Sequence, residues 1–483
     1  MPQHLVNSSQ QEKTLYILCL TDFTLSFALF GMLSTLILFF VKNLGYSESL
    51  AYSVLGNFTA LAYLSALVAG FLGGRYLSFK SASIVGTILM LIGYLFLALY
   101  QHFATINIGL ALIACGNGFV APNLRNLLGA NYNTSSFYLR DKGYITLHVF
   151  NISGQILGPL LLTYLKIINA SLMFVTAAMV LLLGLFNFAI RYKSTSPAYY
   201  SDRNRAIHSA EIFKGLVITV LLLGMVMIIM EKRDVKYLLE AVFITVFTVF
   251  PVLLTFIKRT IRIKIISCFI PLGGLLVAEI CFRLTMGVVN LFTEQYVNRQ
   301  LIATTLIPTG MLQAVEPIFI FIGFYPILLL RKYLERQKIY ITTGSSIAGG
   351  LLGLSLSFAC LVLGIILAPA TKIALHWLLI CYAIMAVSEL FILPIATAAI
   401  AALAPINWRS ILMGFLFLIT SLASYLASWI GQWLSPAFNE PTLLNYKNLF
   451  IDMALFAAVG ALIIFTAWKS WLRLYRQEML LDE

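Results

Sequence analysis

The chain has 483 residues, of which 60% are hydrophobic and 11% charged, with a mean hydropathy of +0.93. Soluble domains carry about 25% charged residues, so this composition excludes a soluble globular protein and points to an integral membrane protein. The formal net charge of +13 does not indicate a nucleic-acid partner, because the basic residues fall in short loops between apolar runs, as in polytopic membrane proteins.

Fourteen hydrophobic segments are predicted, near residues 14–41, 50–74, 81–101, 104–130, 143–165, 168–190, 212–230, 237–257, 265–292, 302–330, 340–368, 373–403, 411–434 and 449–468. Each can cross a hydrocarbon layer of about 30 Å as a helix rising 1.5 Å per residue. All are longer than membrane-barrel strands need to be. Residues 1–13 are polar and lack a signal-peptide layout, so the first span is expected to act as its own targeting signal. Cys19, Cys115, Cys268, Cys281, Cys360 and Cys381 all fall in apolar runs without a CxxC spacing, and read as small core residues.

Loop charges set the orientation. With the N-terminus inside, the inside loops hold Arg75, Lys80, Arg140, Lys142, Arg191, Lys193, Lys258, Arg259, Arg331 and Lys332, and the C-terminal tail holds Lys469 and Arg473. The outside loops hold little besides Lys42, Lys166, Arg299 and Lys372; the exception is the Lys232, Arg233, Lys236 hairpin, where Glu231 and Asp234 lie close by. Both termini are therefore expected in the cytoplasm, in a multi-pass inner-membrane protein. The longest polar stretch, residues 192–209, divides the spans into six, two and six. The predicted domains are an N-terminal six-helix bundle (1–192), a cytoplasmic linker with an extra helix pair (193–262) and a C-terminal six-helix bundle (263–483). That is the layout of a two-bundle secondary transporter.

Charges at membrane depth mark the candidate site. Glu389 lies in the middle of the 373–403 run, where burying an ionisable group costs about 2.5–3.5 kcal/mol on insertion scales. Pro394, five residues on, is expected to kink that helix. Glu389 reads either as a proton- or cation-binding group beside a hinge, or as a buried acid paired with an arginine for structure. Glu279 and Arg283 stand at i,i+4 and can pair within one helix, as scaffold or as part of a site. Glu279, Arg283, Glu316 and Glu389 are expected to face one cavity, with Gln313 one turn above Glu316. Their surplus of negative charge is accommodated if a carboxylate is protonated in some state or a cation binds. No HExxH, Walker loop or Cys/His arrangement is present, so no enzymatic activity is expected.

Collinear blocks along most of the chain carry a family resemblance. They are Phe30-Gly31-Met32; Thr59 to Leu64, followed by Gly73-Gly74-Arg75; Gly118 to Asn123; Arg140-Asp141 with Gly143 and Gly154; Asn290-Leu291-Phe292; Ile307-Pro308; Gln313 to Phe319; and Ser388-Glu389-Leu390-Phe391 with Pro394. The chain resembles the proton-dependent oligopeptide transporters of the major facilitator superfamily. The resemblance implies an all-α integral membrane protein with the major facilitator fold: two six-helix bundles plus two extra transmembrane helices, 14 in total.

The departures from the family pattern are as informative. Its first-helix Glu-x-x-Glu-Arg-Phe reads Asp22-Phe23-Thr24-Leu25-Ser26-Phe27 here, its Gly-Met-Arg ends in Leu33, and its fourth-helix lysine is Ala121. The seventh-helix glutamate is Arg283, the asparagine before the eighth-helix proline is Glu316, and the fifth-helix aromatic-Asn motif contains His148 and Asn151. The resemblance implies that Tyr63, His148, Asn290 and Trp429 line a pocket; the residues alone read equally as core. Arg125, one turn beyond Ala121, either replaces the lost lysine or snorkels outward. Asp22 joins Glu316 and Glu389 as a proton-coupling candidate.

The function implied is proton-coupled secondary transport of small peptides or peptide-like metabolites by alternating access, with the Pro317 and Pro394 helices helping to gate the site. The open alternatives are an exporter of a non-peptide compound (siderophore, drug or amine) and a transport-dead receptor. No cofactor or metal is expected beyond a proton gradient. The expected partners are the small-molecule substrate and membrane lipid, with the protein a monomer. Because the first bundle lacks the family's cations, amidated peptides are expected to compete at least as well as free dipeptides.

Overall fold

The structure, a computed structural model, describes residues 8–99, 103–131, 137–195, 209–231, 236–302, 305–337, 342–368, 372–405, 408–435 and 441–479. Most of the predicted linker, together with Lys232 and Arg233 of the basic hairpin, lies outside the described residues, as do the side chains of Arg75, Arg140, Asp141 and Lys142.

A helix is present in each of the fourteen predicted segments. The first six are α1 (Ser8–Leu38), α2 (Glu48–Arg75), α3 (Phe79–Ala98), α4 (Phe103–Asn131), α5 (Phe137–Ile168) and α6 (Ala170–Thr195). The extra pair follows as α7 (Ser209–Glu231) and α8 (Lys236–Thr255). Then come α9 (Arg259–Leu284) and α10 (Asn290–Tyr296), joined by a π-helical turn at Thr285–Val289, and the short strands β1 (Val297–Asn298), β2 (Gln300–Ile302) and β3 (Thr305–Leu306). The remainder is α11 (Thr309–Leu312), α12 (Val315–Arg336), α13 (Thr343–Ile366), β4 (Ile373–Ala374), α14 (Leu375–Leu403), α15 (Arg409–Leu434) and α16 (Leu443–Met479). Among the described residues, twelve helical runs are long and apolar enough to cross a membrane; in α7 and α8 the apolar stretches, Val217–Ile228 and Phe243–Thr255, are shorter. Large side chains such as Leu183, Phe186, Val220 and Phe256 are exposed, as suits a surface facing lipid rather than water.

The predicted 302–330 segment differs in detail. Residues 300–306 pair as the β2–β3 hairpin, with Gln300 opposite Leu306. Pro308, with no N–H and a fixed φ, then leads into α11. The helical run breaks at Gln313–Ala314 before α12 resumes. Gln313 therefore does not stand one helical turn above Glu316, which corrects that expectation. Pro317 falls in the first turn of α12, where a missing N–H loses no helix bond. Helix α14 runs on through Pro394 to Leu403.

The chain forms two compact units. The first comprises residues 1–39, 57–233 and 310–314; the second comprises 40–56, 234–309 and 315–483. In the first unit α1 packs on α5 and α6, α3 on α4 and α6, and α7 on α4. The α3–α4 contact is close because Gly86 faces Gly116: a Cβ on Gly86 would lie 2.6 Å from the Gly116 carbonyl oxygen. In the second unit α9 packs on α14, α15 and α16, α13 on α14 and α16, and α12 on α14. Helix α8 is anchored there by Phe250 against Phe415 and Phe269, and by the Tyr425 hydroxyl, which donates to Glu240 at 3.0 Å.

Residues 40–56 follow α1 in sequence yet belong to the second unit, and polar bonds explain why. Lys42 Nζ and the Thr309 hydroxyl both donate to the Glu294 carboxylate, which also meets Arg299 Nη2 at 3.1 Å. Glu48 accepts from Gln295 Nε2 at 2.7 Å and from the Ser435 hydroxyl at 2.6 Å.

Candidate functional site

In the second unit three helices bring together the four charged residues singled out in the sequence. The i,i+4 spacing places Glu279 and Arg283 on one face of α9. Arg283 Nε and Nη2 both donate to Glu279 Oε2, at 3.1 and 2.8 Å, and Glu279 is buried. Helix α12 carries Glu316 in its first turn, where the helix dipole favours a carboxylate. Helix α14 carries Glu389 and packs on both α9 and α12. Glu316 lies within the electrostatic reach of Glu389 and Arg283, and Glu389 within that of Glu279 and Arg283. Oε1 of Glu316 is sealed from solvent and has no hydrogen-bond partner among the described residues. The group holds three carboxylates and one guanidinium, and that guanidinium is bonded to Glu279. The π-helical turn begins two residues after Arg283, and such turns are frequent at functional sites.

The first unit holds a second polar group. Asn151 Nδ2, on α5, donates to Asp22 Oδ2 at 3.0 Å and to the Ser26 hydroxyl at 2.5 Å, both on α1. Gln155 Nε2 donates to Asn151 Oδ1 at 2.7 Å. Small residues allow this approach: a Cβ on Gly154 would lie 2.6 Å from the Phe23 carbonyl oxygen. Arg125, on α4, is exposed; its Nη1 donates to the Ala121 carbonyl at 3.4 Å, and its charge reaches Asp22 and His148. His148 is exposed as well.

Reading single residues missed the Ser26–Asn151–Gln155 part of this group. Its signal was available as two polar i,i+4 pairs, Asp22 with Ser26 and Asn151 with Gln155, each inside an apolar run. Of the remaining candidates, Tyr63 is partly buried on α2, Trp429 is half-exposed on α15 and Asn290 is fully buried where α10 begins. Gln313 belongs to the first unit and Glu316 to the second. Among the described residues no cluster of three or more His, Cys, Asp or Glu side chains is arranged to hold a metal ion.

A chain of this kind, almost all helix with ionisable groups held at membrane depth, is a multi-pass membrane protein built like a solute transporter. The POT family profile matches residues 80–442, and the chain belongs to that family. It is similar to dipeptide and tripeptide permease A of Klebsiella pneumoniae, 25% identical over 476 residues that cover 96% of this chain and 93% of the relative. The same-named permease of Erwinia pyrifoliae is 26% identical over 478 residues, covering 96% and 94%. Among solved structures, the peptide transporter POT in complex with sulfate superposes with a TM-score of 0.81 at 21% identity, over 96% of this chain and 95% of that one. Tetrameric PepTSo2 gives a TM-score of 0.83 at 21% identity, over 96% and 99%. These superpositions establish the fold, that of the major facilitator transporters.

Proposed function

We propose that this protein is a proton-coupled secondary transporter that moves small peptides or peptide-like metabolites across the bacterial inner membrane by alternating access. Family membership and the names of its relatives support the substrate class. The observation that carries the coupling is the unbalanced charge of the second unit: three carboxylates share one guanidinium, and one oxygen of Glu316 is buried without a partner among the described residues. Two neighbouring carboxylates in a low-dielectric site cannot both stay ionised at low cost, so the site is suited to take up and release a proton, or to pair with a substrate ammonium group. In this reading Glu389 and Glu316 share the proton, with Asp22 a further candidate, and the partly buried Glu389 receives the peptide's amino end.

The test is Glu389→Gln in proteoliposomes. The amide keeps the shape but cannot exchange a proton, so accumulation driven by a pH gradient should be lost while counterflow exchange survives. A variant that accumulates dialanine like the parent would make Glu389 structural.

A further inference from the structure

We propose that the second unit selects peptides whose first residue carries a positively charged side chain, Glu316 receiving that second cation while Glu389 receives the amino end. The inference rests on the peptide reading above and deepens it by naming the substrate class. The starting observation is where the negative charge of the unit can be reached. Glu279 is buried, and its Oε2 takes two bonds from Arg283. Glu316 and Glu389 are only partly buried, so an outside group can approach them, and each lies in the field of Arg283 and of another carboxylate. Among the residues whose side chains are described, neither of these two acids forms an ion pair.

A second observation points the same way. Oε1 of Glu316 is sealed from solvent and accepts no hydrogen bond among the described residues, and a buried acceptor left without a donor is costly. In the empty site a proton on one of the two acids relieves their repulsion. Dialanine brings a single ammonium group, which covers one carboxylate and leaves the other to keep its proton. A first residue such as lysine brings two, the α-ammonium and a side-chain ammonium on a flexible four-carbon stem. Each then meets one acid in a charge-assisted hydrogen bond. The two acids stand on helices packed against each other, α12 and α14, so one residue of a peptide can serve both. An amide at position 316, as in the family pattern, would carry no charge to pair, and an acidic first residue would add to the surplus.

The test is competition binding to the purified full-length protein at fixed pH, with lysyl-alanine, alanyl-lysine, norleucyl-alanine and dialanine as probes. Norleucine keeps most of the lysine chain without its charge. A pocket that reads only bulk would favour norleucyl-alanine, because an ammonium desolvated without a partner loses affinity. The parent should instead bind lysyl-alanine at least about tenfold more tightly than norleucyl-alanine, as a charge-assisted bond provides. Relative to dialanine, alanyl-lysine should gain less than lysyl-alanine does. Glu316→Gln should bring the ratio of lysyl-alanine to norleucyl-alanine binding close to one, and Glu316→Asp should keep most of it. Melting no lower than that of the parent controls for folding. If the parent binds lysyl-alanine no better than norleucyl-alanine, if alanyl-lysine gains as much, or if the folded Gln variant keeps the preference, the assignment of Glu316 is wrong while the peptide reading stands. If the folded parent binds none of the four probes, the peptide reading falls and this inference falls with it.

Discussion

At the scale of single residues, Arg283 separates scaffold from site. Both of its bonds to Glu279 fall on one carboxylate oxygen, at 2.8 and 3.1 Å, and Glu279 is buried. Removing one partner of such a pair leaves a charge stranded in low dielectric and costs about 3–5 kcal/mol, whereas removing both is often close to neutral. Arg283→Ala should therefore lower the melting temperature in detergent more than the double variant with Glu279→Ala does. Equal losses would mean that the pair is not the source of the stability. Glu316 is the opposite case. Its Oε1 has no partner to lose among the described residues, so Glu316→Gln should melt at or above the parent while impairing uptake driven by a pH gradient. A clear drop in melting temperature would show that the ionised carboxylate holds the fold. This much was legible in the sequence, because an i,i+4 Glu–Arg pair and isolated acids in apolar runs announce their cost without tertiary information.

At the scale of elements, the α1–α5 contact decides whether Asn151 reaches Asp22. A Cβ on Gly158 would run into the Phe27 carbonyl oxygen, and one on Gly31 would meet the Gly158 carbonyl oxygen at 2.8 Å. Overpacking a tight contact typically costs about 1–3 kcal/mol. Gly158→Ala should destabilise the protein by that order and, by pushing the helices apart, weaken the Asn151–Asp22 bond; a variant that melts like the parent would show that α1 and α5 can shift freely. Both helices were legible as apolar segments, but their meeting was not, because neighbouring helices are chosen by packing rather than by periodicity. The same limit hid the π-helical turn at Thr285–Val289, where no residue type in the sequence signals a change of hydrogen-bond register. It hid the break at Gln313–Ala314 for a different reason. Pro317 drew attention to itself, yet a proline in the first helical turn is tolerated, and the interruption lies just upstream.

At the scale of the whole molecule, the compact units interleave along the chain: residues 40–56 go with the second unit and 310–314 with the first, and α7 and α8 are divided between them. No cut point in a sequence expresses such exchanges, since they rest on bonds such as Lys42–Glu294 and Glu48–Ser435 between residues more than 200 positions apart. Orientation, in contrast, rests on the sequence alone, through the loop charges. Basic residues crowd the loops on the side of Lys258 and Arg259 and thin out on the side of Lys372, so the expected orientation has Lys258 in the cytoplasm and Lys372 outside. Both side chains are exposed and all six native cysteines are buried, so single introduced cysteines should report with little background. Lys372→Cys should react with a membrane-impermeant maleimide in intact cells, and Lys258→Cys only after permeabilisation. The reverse pattern would invert the topology.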